Sequence, residues 1–146
     1  MSIVPKPETL IILVVAAALV DRDGQILVQR RPAGKQHGGL WEFPGGKVEP
    51  GETPEAALVR ELHEELQIGV SPEAVRPLSF TTEEAAGRHL TLLLYTVAAW
   101  TGKPSPTAAD AIRWVSSESL RDLPMPPADL PLVAVLARAL ADQQRR

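Results

Sequence analysis

Glu61, Glu64 and Glu65 crowd into one short segment, Arg60-Glu61-Leu62-His63-Glu64-Glu65, and Gly45-Gly46-Lys47-Val48-Glu49-Pro50-Gly51-Glu52 lies a little upstream. On a helix at about 100° per residue, with Glu61 at zero, Glu64 falls at about 300° and Glu65 at about 40°. The three carboxylates therefore share an arc of about 100°. Like charges so placed cost an isolated helix roughly a few tenths of a kcal/mol, and no lysine occupies the arc. One reading is a solvated acidic face on which Arg60 and Glu64 form a helical ion pair. The other is a site for a hard divalent cation, which takes carboxylates, a carbonyl or two and phosphate oxygens. The glycines favour the second, because a Gly-Gly turn can bring an unhindered carbonyl up to the same metal. Mg²⁺ held there would neutralise phosphoryl oxygens and lower the pKa of attacking water.

Such a cluster needs a scaffold. Thr53-Pro54-Glu55 opens a helix: Thr caps, Pro suits the first turn and an acid suits the macrodipole. The helix should run to about Gln67 and bury Leu58, Leu62 and Leu66, with Val59 widening the stripe. Leu10–Val20 reads as a buried strand and Gln25–Arg31 as its hairpin partner across Asp21-Arg22-Asp23-Gly24. Residues 32–39 form a loop rich in Gly, and Trp41-Glu42-Phe43 precedes a sharp turn at Pro44-Gly45-Gly46. Further strands are expected at Val75–Thr82, Arg88–Trp100 and Ala111–Val115. Ser116–Leu123 should hold a helical turn, and Leu130–Gln143 an amphipathic helix closed by Arg145 and Arg146. Residues 1–9 read as an arm. The sum is one α/β domain with a mixed sheet and helices packed on it.

The chain's 146 residues suit a single domain. A formal net charge of −3 argues against a nucleic-acid polymer as partner. The absence of cysteine rules out disulfides, thiolate metal sites and cysteine nucleophiles. The apolar run Leu10 to Val20 is too short for a bilayer span of ~20 residues. The residues before it carry only Lys6, offset by Glu8, so they do not make the positive start of a signal peptide. The expected setting is the cytoplasm, with no membrane partner.

Gly46, Glu52, Arg60, Glu61, Leu62, Glu64 and Glu65, at these intervals, match the signature of the Nudix hydrolases nearly throughout. The flanks, Leu40-Trp41-Glu42-Phe43-Pro44-Gly45-Gly46-Lys47-Val48-Glu49 and Met125-Pro126-Pro127-Ala128-Asp129, resemble the MutT-type nucleoside triphosphate pyrophosphohydrolases. The resemblance covers essentially the whole chain. It implies a Nudix α/β/α sandwich with a mixed sheet, one domain over residues 1–146. It also implies Mg²⁺-dependent hydrolysis, with Mn²⁺ able to substitute, of a (deoxy)nucleoside triphosphate to the monophosphate and pyrophosphate. The first substrate so implied is 8-oxo-dGTP, in nucleotide-pool sanitation serving DNA replication and repair. CTP or dCTP hydrolysis is the alternative, and a catalytically silent nucleotide-binding module a weaker one. Monomer and homodimer are both compatible.

By position, the resemblance makes Glu61, Glu64, Glu65 and the carbonyl of Gly45 metal ligands, with one glutamate taking the proton from water. Glu52 and Arg60 would pair and hold the loop against the helix. Arg31 and Lys47 are candidates for phosphate contacts, or are merely exposed bases. Asp129 would contact the base, or else cap the last helix. Phe43 and Arg88 would line the same pocket, or serve as plain core and strand-edge charge. The sequence departs from the family pattern twice. Gln67 stands where the signature has glycine, and Ala108 stands where MutT relatives supply a further metal-binding glutamate, with Asp110 the acid nearby.

Overall fold

In the computed structural model, residues 10–144 are described. The expected arm at 1–9 and the closing Arg145 and Arg146 lie outside the described residues. The chain runs β1 (Leu10–Leu19), β2 (Ile26–Arg30), β3 (Trp41–Glu42), β4 (Gly45–Lys47) and α1 (Pro54–Leu66). After a 3-10 turn at Pro72–Ala74 come β5 (Val75–Ala85), β6 (Arg88–Val97), β7 (Ala111–Val115), α2 (Ser117–Leu120) and α3 (Leu130–Gln144).

β1 explains the architecture. Val15, Ala17 and Leu19 pack on Leu58, Leu62 and Leu66 of α1, while Ala16 and Ala18 pack on the α3 side with Leu132, Leu136 and Leu140. A strand covered on both faces has no solvent side, which is why its sequence is continuously apolar instead of alternating. Two helices on opposite faces of the central strand make the three-layer α/β/α arrangement. The larger sheet is mixed, in the order β4-β1-β6-β5, with β1 parallel to β6 and the other pairs antiparallel. A second sheet has the order β3-β2-β7, all antiparallel.

The expected β1–β2 hairpin is corrected by this topology. Asp21 closes the turn as foreseen, its Oδ1 accepting from the amides of Asp23 at 2.9 Å and Gln25 at 2.8 Å. Yet only an isolated bridge, Val20 to Ile26, joins the two segments. Both edges of β1 are taken, by β4 and β6, so β2 leaves for the second sheet and pairs with β3 and β7. A local turn signal cannot reveal that competition. Strands β5 and β6 end a few residues away from the expected limits, and α2 is shorter than the span that was to contain it.

Helix α1 follows its sequence closely. Thr53 is the N-cap, with its side chain accepting from Ala56 N at 3.1 Å. At the other end Gln67 adopts the left-handed conformation, φ 61° and ψ 30°, and its amide bonds to His63 O. A glycine would meet that backbone demand without steric cost. Replacing Gln67 by Gly should therefore raise stability by about 1 kcal/mol, read as a shifted urea midpoint at unchanged slope. A lower midpoint would mean that the Gln67 side chain contributes more than its backbone costs.

Candidate active site

The loop after β4 and the exposed side of α1 are tied together by one side chain. Arg60 grips Glu52 with two donors, Nε to Oε2 at 3.1 Å and Nη2 to Oε1 at 2.6 Å. Nη2 also donates to the Lys47 carbonyl at 3.1 Å. Nη1 reaches Glu61 Oε1 at 3.0 Å and Glu64 Oε2 at 3.3 Å. Glu52 in turn accepts from the Glu49 amide at 2.9 Å. The paired guanidinium holds the Glu52 carboxyl below the usual carboxylate range and raises the Arg60 pKa. This is the loop-to-helix pairing expected for Glu52 and Arg60, and it contains the Arg60–Glu64 helical ion pair as one of its parts.

Packing brings Gly45-Gly46 against the same helix. β4 is an edge strand, and the Gly45 amide donates to Glu65 Oε2 at 3.0 Å instead of to β1. A Cβ at Gly46 would collide with the Glu61 carboxyl, and one at Gly45 with the Val15 carbonyl. Only glycines let this strand lie between β1 and the glutamates. Burial pushes the Glu65 carboxyl up to about 8, with Glu61 and Glu42 adding repulsion. Burial also raises Glu61, against the opposing pull of Arg60.

Beside this cluster lies a cleft of about 660 Å³. It gathers Arg31, Phe43, Gly45, Lys47, Glu65, Arg88 and Asp129 in one concavity. Glu52, Arg60, Glu61 and Glu64 stand outside its lining, although Glu61 touches Gly46 on its wall. Arg31 is paired with Glu42 at 3.4 Å, and Phe43 is both core and cleft wall. Asp129 directly precedes α3 and is 7% exposed, and its Oδ2 accepts from the Phe43 amide at 3.4 Å. Burial first, and then the charge on Glu42, push Asp129 from 3.8 to about 7.

Asp110 is placed elsewhere. Its carboxylate pairs with Arg30 at 3.2 Å and does not line the cleft. The loop around Ala108 instead docks on the end of α1, where Thr107 donates through Oγ1 to Glu64 O at 2.8 Å and through its amide to Glu65 O at 3.1 Å.

The sequence alone assigns no role to Gln29, Glu42 or Glu83, and His37 shows no metal-ligand spacing. Glu42, Glu83 and His37 line the cleft. Gln29 is buried and donates to Glu65 Oε2 at 3.4 Å. The one signal for Gln29 is that it directly follows the apolar run Ile26-Leu27-Val28 and shares the face of Leu27 on the strand. No such signal marked the others, whose role comes from the fold bringing distant segments together.

As the side chains stand, no group of three Asp, Glu or His among the described residues converges tightly enough to enclose a metal. The donor set nevertheless fits a hard cation. Glu65 is a part-buried carboxylate with no cationic side chain paired to it among the described residues. Glu61 and Glu64 share one guanidinium, and Gly46 leaves Glu61 room that a Cβ would fill.

Fold and site together make an α/β domain with a basic-walled cleft beside a carboxylate-bearing helix. Residues 11–136 match the NUDIX domain family. The chain is 41% identical over 119 residues to the CTP pyrophosphohydrolase of Escherichia coli K12, covering 82% of this chain and 87% of that one. It is 37% identical over 118 residues to the 8-oxo-dGTP diphosphatase of the same organism, covering 81% and 90%. A solved MutT structure, from work on Aliivibrio salmonicida and Vibrio cholerae, superposes with a TM-score of 0.77 at 33% identity, over 88% of this chain and 98% of that one. The chain belongs to the Nudix family, as a MutT-type hydrolase of nucleotides.

The raised carboxyls set the pH dependence of folding. Asp129 and Glu65 hold protons in the folded state that the unfolded chain releases between their ordinary and raised pKa values. Metal-free stability should thus be full below about pH 4 for these two groups and fall as pH rises toward 7 and 8. Asp129→Asn should raise the Tm at pH 8 relative to wild type and leave the Tm at pH 4 little changed. An equal change at both pH values would contradict the raised Asp129 pKa.

Proposed function

We propose that this enzyme hydrolyses a (deoxy)nucleoside triphosphate to the monophosphate and pyrophosphate, with a divalent cation, Mg²⁺ or Mn²⁺ in its place, held by Glu61, Glu64, Glu65 and the Gly45 carbonyl. The observation that carries this reading is the packing of Gly45-Gly46 on the glutamate face of α1, at the wall of a cleft lined with Arg31, Lys47 and Arg88. The cation, when bound, supplies neutralisation of phosphoryl oxygens and a lowered pKa for the attacking water. Arg31 and Lys47 draw the phosphates in, and Arg60 with Glu52 keeps the loop on the helix. One of the glutamates takes the proton from water. Glu64 is suited to that role by exposure, its side chain being 57% accessible. Without a glutamate at Ala108, the helix supplies the carboxylates alone.

For the base, Phe43 and Arg88 form the walls and Asp129 the polar contact. An ionised Asp129 offers two acceptors to the paired N–H donors of a guanine-type edge, as in 8-oxo-dGTP. A protonated Asp129 offers one donor and one acceptor, which complements cytosine. The second reading, CTP or dCTP, is favoured by the Asp129 pKa of about 7 and by the identity to a CTP pyrophosphohydrolase. Glu42, Glu65, Glu83, Arg31, Arg88, Lys47 and His37 are the charged or titratable groups that share the cleft with it.

Pyrophosphate release with Mg²⁺ over 8-oxo-dGTP, dGTP, CTP, dCTP and ATP, at pH 6 and pH 8, tests both. The sanitation reading expects kcat/KM for 8-oxo-dGTP far above dGTP. Raising the pH should shift preference from cytosine toward guanine-type bases as Asp129 ionises, a shift that Asp129→Asn abolishes. A pH-independent preference would remove Asp129 from base recognition. In the same assay Glu64→Gln should lower kcat more than tenfold with the fold intact, a loss typical of a group acting in proton transfer or charge stabilisation. Wild-type activity in that variant would overturn the metal assignment.

A further inference from the structure

Gln29 lies inside β2 and is 5% exposed. Its register partners are Glu42 on β3 and Ile112 on β7, so these side chains share one face. That face packs with the core of α1, through Leu27 and Ile112. The Gln29 Nε2 donates to Glu65 Oε2 at 3.4 Å, the same oxygen that accepts from Gly45 N at 3.0 Å. Burial raises the Glu42 carboxyl, and Arg31 first and then the neighbouring Gln29 amide oppose that rise. Glu42 in turn pairs with Arg31.

The other half of the amide is unmatched. Gln29 Oε1 is buried and has no hydrogen-bond donor among the described residues. Leaving a buried acceptor unpaired is costly, and an apolar side chain of similar size would fill the space without that cost. Core packing alone therefore does not account for an amide here. What the amide does is place a donor between two carboxylates on separate elements. Both donors to Glu65, from Gln29 and from Gly45, fall on Oε2, and Oε1 is left without a donor among the described residues. Glu65 is a wall of the cleft.

We propose that Gln29 is a positioning residue for the cation site, whose amide fixes the Glu65 carboxylate in the orientation that leaves Oε1 for the cation and links it, through Glu42, to Arg31. This deepens the proposed function and rests on Glu65 being a cation ligand. Gln29→Met keeps the size and removes the donor. Mn²⁺ titration followed by electron paramagnetic resonance, on the full chain without nucleotide, reads binding apart from turnover. Losing a group that orients a ligand typically weakens metal affinity by ~10–100-fold. The expected result is a Mn²⁺ Kd raised about tenfold or more, with the metal-free Tm unchanged or raised. The Mg²⁺ concentration for half-maximal activity should rise in step, while kcat at saturating Mg²⁺ recovers most of the wild-type value. An unchanged Mn²⁺ Kd overturns the inference, and with a lowered Tm it makes Gln29 a packing residue. Should Gln29→Met fail to fold, Gln29→Thr is judged by the same Kd. A wild-type chain that binds no Mn²⁺ would instead sink the reading of Glu65 as a ligand, and this inference with it.

Discussion

The Arg60 guanidinium is shared by Glu52, Glu61 and Glu64, with Glu49 at 3.9 Å, and among the described residues no second cation pairs with these carboxylates. Its strongest grip is on Glu52, which fastens the loop, so what reaches Glu61 and Glu64 is a single nitrogen. Glu65, one step further round the helix, has only neutral donors. The helix face thus carries more negative charge than the protein neutralises. Crowded, partly buried carboxylates of this kind are costly unless a cation or protons compensate them. Burial first, and then the neighbouring carboxylates, raise the Glu65 and Glu61 carboxyls, and Arg60 opposes the rise at Glu61.

The rest of the structure keeps that face rigid and gives it something to act on. β1, buried on both sides, anchors α1 through Leu58, Leu62 and Leu66, which fixes the direction of the glutamates. Its edge holds β4, where the glycines bring backbone rather than side chain to the carboxylates. The second sheet supplies Arg31, Glu42 and Gln29 from the opposite direction, and the residues before α3 supply Asp129. Several elements therefore meet at one cleft, with Arg31, Lys47 and Arg88 on its walls and the buried acid Asp129 among them. The stability given up to crowded acids is consistent with a site organised for binding rather than for folding.

Much of this was legible in the sequence because it depends on local rules. The Thr53-Pro54 start of α1, its leucine stripe and the grouping of three glutamates follow from capping and from the period of a helix. The Glu52–Arg60 pairing and the gathering of Arg31, Phe43, Lys47, Arg88 and Asp129 followed only from family resemblance, since nothing in their spacing brings them together. The β1–β2 hairpin was misread because the turn residues signal a reversal but not which strand wins the pairing. Gln29 and Glu42 were missed because their meaning is a cross-strand register and a contact with α1, both set by tertiary packing. Asp110 looked available for the cation in sequence, yet Arg30 takes it.

The central claim is that a divalent cation compensates the excess carboxylate on α1. The most direct measurement is the Tm of the nucleotide-free chain against MgCl₂, with NaCl of matched ionic strength as control, at pH 6 and pH 8. The account predicts a saturable rise with Mg²⁺ beyond that with NaCl, because a ligand that binds only the folded state stabilises it by mass action. The rise should be larger at pH 8, where protons compete less for Glu65. Identical curves for MgCl₂ and NaCl at both pH values would contradict it, and would leave the glutamate face of α1 as an acidic surface without a cation to hold.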